Sequence, residues 1–264
     1  MIQLFRKIRQ RLLNENKFTK YLLYAIGEIF LVVIGILLAL QINNWNDLRK
    51  QKQKEEFILR DLHQEFVFNK KLLDSIMTYH KRTIKSAEYL KSRLPIDVNR
   101  IDNLDSLSYH LFTVSFAYTY NPSTGIINSL LNNSTIEIIS NNELRQLLIG
   151  WKDILSDYQE EEIRASENYL NHLKPFEKEH FKYSLDYKEV LSDPRIDLTF
   201  LETLAFDNYV LDRHNDLNNI INSATGTGEL NQITKTMDLI IQLSDAKSLD
   251  WISSILYLLI RYFT

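Results

Sequence analysis

The sequence predicts a mainly α protein, with an N-terminal transmembrane helix that continues into a long stalk helix and then an extramembrane α-helical bundle. Three observations predict it. Glycine and proline number only six and four in 264 residues, against usual shares of about 7% and 5%. Sandwiches, barrels and dinucleotide-binding folds need more turns and glycine-rich loops than that. Residues 21–42 form one apolar run, and no Gly or Pro interrupts the chain between Gly35 and Pro95.

The head, residues 1–20, holds six basic side chains: Arg6, Lys7, Arg9, Arg11, Lys17 and Lys20. Leu4, Phe5, Ile8 and Leu12 fall about one turn apart, with the early basic residues mostly elsewhere. This is the pattern of a basic amphipathic helix on an anionic leaflet. It favours a cytoplasmic N-terminus with the body outside, in the periplasm. Residues 43–60 carry five basic residues of their own, so counting charges on the two sides barely decides the orientation.

Tyr21 to Ile42 reads YLLYAIGEIFLVVIGILLALQI, with only Glu28 and Gln41 strongly polar. A helix of this length spans roughly 33 Å, enough for a hydrocarbon core of about 30 Å. Tyr21, Tyr24 and Trp45 stand where interfacial aromatic anchors belong. No small-residue cleavage pattern follows the run, so it reads as an uncleaved signal anchor. Residues 43–57 (NNWNDLRKQKQKEEF) are almost wholly polar, as in a helix crossing solvent between packed regions. They form the stalk.

The bundle is assigned to residues 58–264. Its first helix continues the stalk to about Arg93 on the seam Ile58, Leu62, Phe66, Leu73, Ile76, Ile84, Ala87 and Leu90, and Pro95 stops it. After a loop at 95–103, Asp102 or Asn103 caps a helix carrying Leu104, Leu107, Leu111 and Val114. Residues 116–121 are aromatic and expected to be extended. Asn121-Pro122 signals the start of a short helix with Ile126, Ile127, Leu130 and Leu131 on one side. Ile136–Ile139 fits strand or helix equally. Asn141 or Asn142 opens a strong helix through Leu144, Leu148, Trp151 and Tyr158 to about Lys174, where Pro175 marks a break or kink. A helix is expected over about 199–222, then a loop at 223–228 and a last pair over about 229–245 and 249–263. The tail 251–263 is apolar but too short to span a bilayer comfortably. It is expected to pack on the bundle through Ile252, Ile255, Leu256 and Leu259, with contact at a membrane surface as the alternative.

The net charge of −3 conceals a split: residues 1–54 carry ten Lys/Arg and three Asp/Glu, and the remainder 21 and 31. The acidic body is a poor partner for nucleic acid. The absence of Cys excludes disulfides, thiolate zinc sites, iron–sulfur ligation and cysteine nucleophiles. None of the six His falls in a metal-ligand spacing, so they read as surface or helix-packing residues. Gly226-Thr227-Gly228 lacks both the third glycine of a dinucleotide fingerprint and the lysine of a phosphate loop. Glu160-Glu161-Glu162 lies within a helix and reads as a solvated face. No catalytic residue, cofactor or metal is therefore assigned.

One residue stands out. Glu28 lies inside the apolar span, where an ionisable group costs about 2.5–3.5 kcal/mol on insertion scales. At about 100° per residue, Gly35 falls about 20° from Glu28 around the helix and Ala39 about 40° further. Glu28, Gly35 and Ala39 form one seam, and Gly35-x-x-x-Ala39 permits close approach of another helix.

Residues 5–46, FRKIRQRLLNENKFTKYLLYAIGEIFLVVIGILLALQINNWN, resemble a family of uncharacterised single-span membrane proteins of Gram-negative bacteria, a domain of unknown function. Residues 122–158 resemble it more loosely, through a short helix, an apolar segment and a charged helix opening at Glu143-Leu144-Arg145. Where members often carry Ser-Gly after the short helix, this chain has Asn132-Asn133. The resemblance implies a single-span, mostly helical membrane protein and brings no activity, cofactor or catalytic residue. The expected function is a membrane-anchored, non-enzymatic interaction or scaffold protein, bound to another protein or to itself. The alternatives are an accessory subunit of an ion-coupled or transport complex using Glu28, and an enzyme whose site has no motif.

Overall fold

The computed structural model describes residues 18–223 and 228–245. The chain divides into two compact units, Met1–Glu56 and Phe57–Thr264. One helix, α1 (Phe18–Lys91), belongs to both. It closes with Ser92 N–H donating to Glu88 O and Arg93 N–H to Leu90 O, just ahead of Pro95. The single helix from the apolar span to the neighbourhood of Arg93 is thus present. In the first unit its large apolar side chains are exposed throughout, from Ile26 to Ile42 and on through Trp45 and Leu48.

The second unit is helical. Among the described residues it contains α1 from Phe57, α2 (Leu104–Val114), α3 (Gly125–Asn132), α4 (Asn142–Asn168), α5 (Lys174–His180), α6 (Leu204–Asn222) and α7 (Glu229–Ser244), with no strand. The architecture is mainly α, and its body is a helical bundle. Two apolar clusters fill it. The first joins Leu62, Phe66 and Leu73 of α1 to Ile127 of α3, Leu148 and Trp151 of α4, and Met237 and Ile240 of α7. The second joins Ala87 and Leu90 of α1 to Leu111 of α2, Leu173, Phe181, Phe200, and Phe206 and Val210 of α6. Helix α4 packs against both α6 and α7.

Local chemistry sets several boundaries as expected. Asn103 caps α2 by accepting from Ser106 N–H, and Asn141 caps α4 by accepting from Leu144 N–H. Ile136–Ile138, which fitted strand or helix equally, is a 3-10 turn.

Two helix starts differ from the sequence expectation, one for a tertiary reason and one for a local one, and the disturbance expected at Pro175 takes a particular form. Helix α3 opens at Gly125 after Thr124, not at Asn121-Pro122. The buried Asn69 side chain of α1 donates to Ser123 O at 2.7 Å and accepts from Ser123 N–H at 2.9 Å. Glu65 accepts from Ser123 Oγ and from Ile126 N–H. Further back, Gln159 and Glu162 of α4 satisfy the carbonyl and N–H of Tyr120. Residues 116–123 therefore lie outside helix and strand, and side chains of α1, α4 and α6 answer their backbone groups in place of a neighbouring strand.

Pro175 does not end a helix. Tyr169–Leu173 forms a π turn, with Lys174 N–H reaching Tyr169 O. This wider turn puts Pro175 in the first turn of α5, where its missing N–H is not needed. Helix α6 starts at Leu204, capped by Thr203, not at Thr199. Asp197 draws Thr199 N–H and Oγ1 into a 3-10 turn over Leu198–Glu202. The basic head, the loop residues 224–227 and the tail expected to form a helix over about 249–263, with the packing expected of Ile252, Ile255, Leu256 and Leu259, lie outside the described residues.

Candidate functional site

The seam residues Glu28, Gly35 and Ala39 all lie on α1, with Gly35 and Ala39 exposed and Glu28 half-buried. A Cβ built on Gly35 would meet nothing within 4 Å, so its surroundings within the chain are open.

The bundle contains two buried polar clusters that the sequence reading missed. The first centres on Glu162 of α4, only 2% exposed. Expected on a solvated face, it is a core residue. Helical geometry explains the difference. Leu144, Leu148, Trp151, Leu155 and Tyr158 are the buried positions of α4, and the next one along that face is Glu162. Of three adjacent glutamates on a helix, one points inward. Its Oε1 accepts from Tyr158 Oη at 2.8 Å and faces His80 Nε2 at 3.1 Å, while Oε2 accepts from Tyr120 N–H at 2.6 Å. Burial, and then the charge of Glu162, push the Tyr158 and Tyr120 hydroxyls well up from their ordinary range. His80 is also 2% exposed, and its Nδ1 is buried without a hydrogen-bond partner.

The second cluster centres on Glu177 of α5, 4% exposed. The π turn presents Tyr169, whose hydroxyl donates to Glu177 Oε2 at 3.1 Å. From α6, Tyr209 Oη donates to Oε1 at 2.7 Å, and the Ser115 hydroxyl after α2, which donates to Leu111 O, lies close enough to favour the charged form. Burial raises the Glu177 carboxyl above its ordinary value, opposed by these hydroxyls and by the charge of Arg213. Arg213 lies one turn beyond Tyr209. Its Nε donates to Val114 O at 2.8 Å and its Nη2 to Phe116 O at 2.5 Å. It thus satisfies carbonyls at and just beyond the C-terminal end of α2, where a cation suits the helix dipole. Burial lowers its pKa, and Tyr209, Asp216 and Glu177 act in the opposite direction. The sequence signal was Glu177 standing at fourth-residue spacing among Tyr169, Leu173 and Phe181, a polar residue on an apolar face.

A pocket of about 100 Å³ adjoins this cluster, lined by Phe112, Ser115 and Phe116, by Tyr169, Glu177 and Phe181, and by residues 182–185 with Val190. Tyr169, Glu177, Phe181 and Val190 are buried, whereas Tyr183 and Leu185 are exposed at 73% and 91%. A desolvated carboxylate among hydroxyls and rings can hold a cation or exchange a proton. Among the described residues no group of three or more His, Asp or Glu could hold a metal ion.

No curated protein and no solved structure matches the chain. The sequence does match one family model, over residues 28–206. That match takes in α1 from Glu28, the Glu162 cluster and the Ser115, Tyr169 and Glu177 part of the second cluster, while Tyr209 and Arg213 lie beyond it. With about two thirds of its length so matched, the chain belongs to a family of unknown function (DUF6090), and the family brings no activity with it.

Proposed function

We propose that this chain is a non-enzymatic interaction or scaffold protein anchored in a bacterial inner membrane. In this reading residues 1–20 lie on the cytoplasmic face, 21–42 span the bilayer, 43–57 form a stalk, and 58–264 are a periplasmic body that binds another protein or a second copy of the chain. One observation carries it. The N-terminal helix is long and apolar enough to cross a membrane, with a mean hydropathy of 2.2 over its apolar window, none of which is buried within the chain. So large an exposed apolar surface is expected to be covered by lipid or by another helix. The likeness of the head to membrane proteins of Gram-negative bacteria supports the compartment, and the basic head supports the orientation.

A reporter fused after Thr264 tests the topology. Alkaline phosphatase activity is expected. Fluorescence from a reporter that matures only in the cytoplasm reverses the orientation, and extraction of the full chain by alkaline carbonate removes the span altogether.

A second reading rests on Glu28, the one acidic or basic side chain between residues 21 and 42. There the chain is an accessory subunit of an ion-coupled or transport complex, and the carboxyl faces a partner's pathway. Gly35→Leu and Glu28→Gln separate the two. Helix packing predicts that Gly35→Leu weakens association and Glu28→Gln changes little. Ion coupling predicts intact assembly and lost transport in Glu28→Gln. The chain has no native Cys, so crosslinking of single-Cys variants at positions 35 and 39 reports the contact directly.

A further inference from the structure

The pocket beside Glu177 has a chemistry independent of the membrane reading. Five of its lining residues are aromatic: Phe112, Phe116, Tyr169, Phe181 and Tyr183. Glu177 is the only carboxylate in the lining and Lys182 the only cation. Lys182 is paired with Glu189 at 3.0 Å, so its charge is answered at the rim. The charge of Glu177 is met differently. Its donors, from Tyr209 and Tyr169, are neutral hydroxyls. Among the described residues no Lys or Arg forms an ion pair with it. Arg213 is close enough to act on it but directs its Nε and Nη2 to backbone carbonyls. The hydroxyls fix the carboxylate in place without neutralising it.

Aromatic faces around a fixed, desolvated carboxylate are the surroundings that recognise an organic ammonium group. Ring quadrupoles attract the cation, and its weakly hydrated alkyl groups replace water against the rings. One ring of the pocket already faces a cation, since the Arg213 guanidinium carbon lies 5.8 Å from the Tyr169 ring centre. A volume of about 100 Å³ suits a small cation.

We propose that this pocket binds a small organic ammonium ion, with Glu177 meeting its charge and the rings enclosing its alkyl groups. The probe is choline, titrated calorimetrically into the full chain in maltoside micelles. The control is 3,3-dimethylbutan-1-ol, which has choline's shape without its charge. Choline is expected to bind about tenfold or more tightly than the alcohol. Glu177→Gln is expected to remove about tenfold of the choline affinity and leave the alcohol unchanged. Tyr183→Ala alters an exposed ring, so folding is not at stake. It is expected to weaken choline severalfold with the melting curve unmoved. Glycerophosphocholine distinguishes the source of the ammonium group: equal or weaker binding than choline marks a free solute, and tighter binding marks a lipid headgroup. Equal affinities for choline and the alcohol would show an apolar pocket without cation recognition and overturn the proposal. So would choline affinity unchanged in both folded variants, or no binding of choline to the folded wild-type chain.

Discussion

Single side chains in this bundle carry charge and hydrogen bonding into places where most positions are apolar, and their effects are measurable one at a time. Burial raises the Glu177 carboxyl, so the folded chain holds that proton to higher pH than the unfolded chain does. This contribution is most favourable below the ordinary carboxyl range and is lost as pH rises through the folded value. Glu177→Gln has no such titration. Its stability relative to wild type is therefore expected to improve as pH rises above the ordinary carboxyl range and to level off beyond the folded value, read by chemical denaturation in micelles at each pH. Asn69 makes a different kind of contribution. It is fully buried and answers both backbone groups of Ser123. Asn69→Ala is expected to cost about 2 kcal/mol, visible as a lower denaturation midpoint at unchanged slope. Neither residue drew notice in the sequence. A polar side chain at a core position is legible only once the apolar face is drawn through it, as Leu173 and Phe181 do for Glu177. Asn69 lies on the α1 seam but signals nothing without knowledge of Ser123, 54 positions on.

Helix ends divide into those set locally and those set from elsewhere. Asn103 and Asn141 were readable as caps because cap and helix are adjacent in the chain. The start of α3 was not, because Glu65 and Asn69 of α1 outweigh the Asn-Pro signal, while the start of α6 was missed although its signals, the Asp197 turn and the Thr203 cap, are local. The exit of α3 is instructive. Ser134 takes a positive φ of 52°. Its N–H donates to Leu131 O, and Thr135 N–H reaches back to Leu130 O, the paired bonds of a helix C-terminus that favours glycine. Serine thus stands in the left-handed position that closes the helix. Ser134→Gly is expected to stabilise the body by about 1 kcal/mol, read as a raised melting temperature. The π turn shows the converse case. Pro175 was correctly marked as a disturbance, but pattern alone does not say whether a disturbance ends a helix or widens one turn of it.

For the molecule entire, the long apolar helix and the mainly α class were legible, since each rests on composition and periodicity, and membership of a family of unknown function was legible through the resemblance of particular stretches. The site was not, because Ser115, Tyr169, Glu177 and Arg213 come from four separate segments and are joined only by packing. The two apolar clusters also differ in stability partners. The first needs Ile233, Met237 and Ile240 of α7, each worth about 1.5–3 kcal/mol of burial. Met237→Ala is therefore expected to cost about 2–5 kcal/mol and to open the first cluster before the second. Hydrogen exchange is expected to show loss of protection in α3 and α7 ahead of α2 and α6.

That dependence on α7 has a consequence for how the chain is made. The residues of the second cluster run from Ala87 to Leu217, so it can be completed when the ribosome still has α7 to synthesise. The first cluster begins at Leu59, nearly thirty residues earlier, yet waits for Ile240. His63 meets its partner, the carbonyl of Ile241, only after 178 further residues. The apolar seam of α1 that emerges first is thus the last to be covered. During synthesis it stays open for most of the length of the protein, the interval in which a nascent chain most needs a chaperone to hold it.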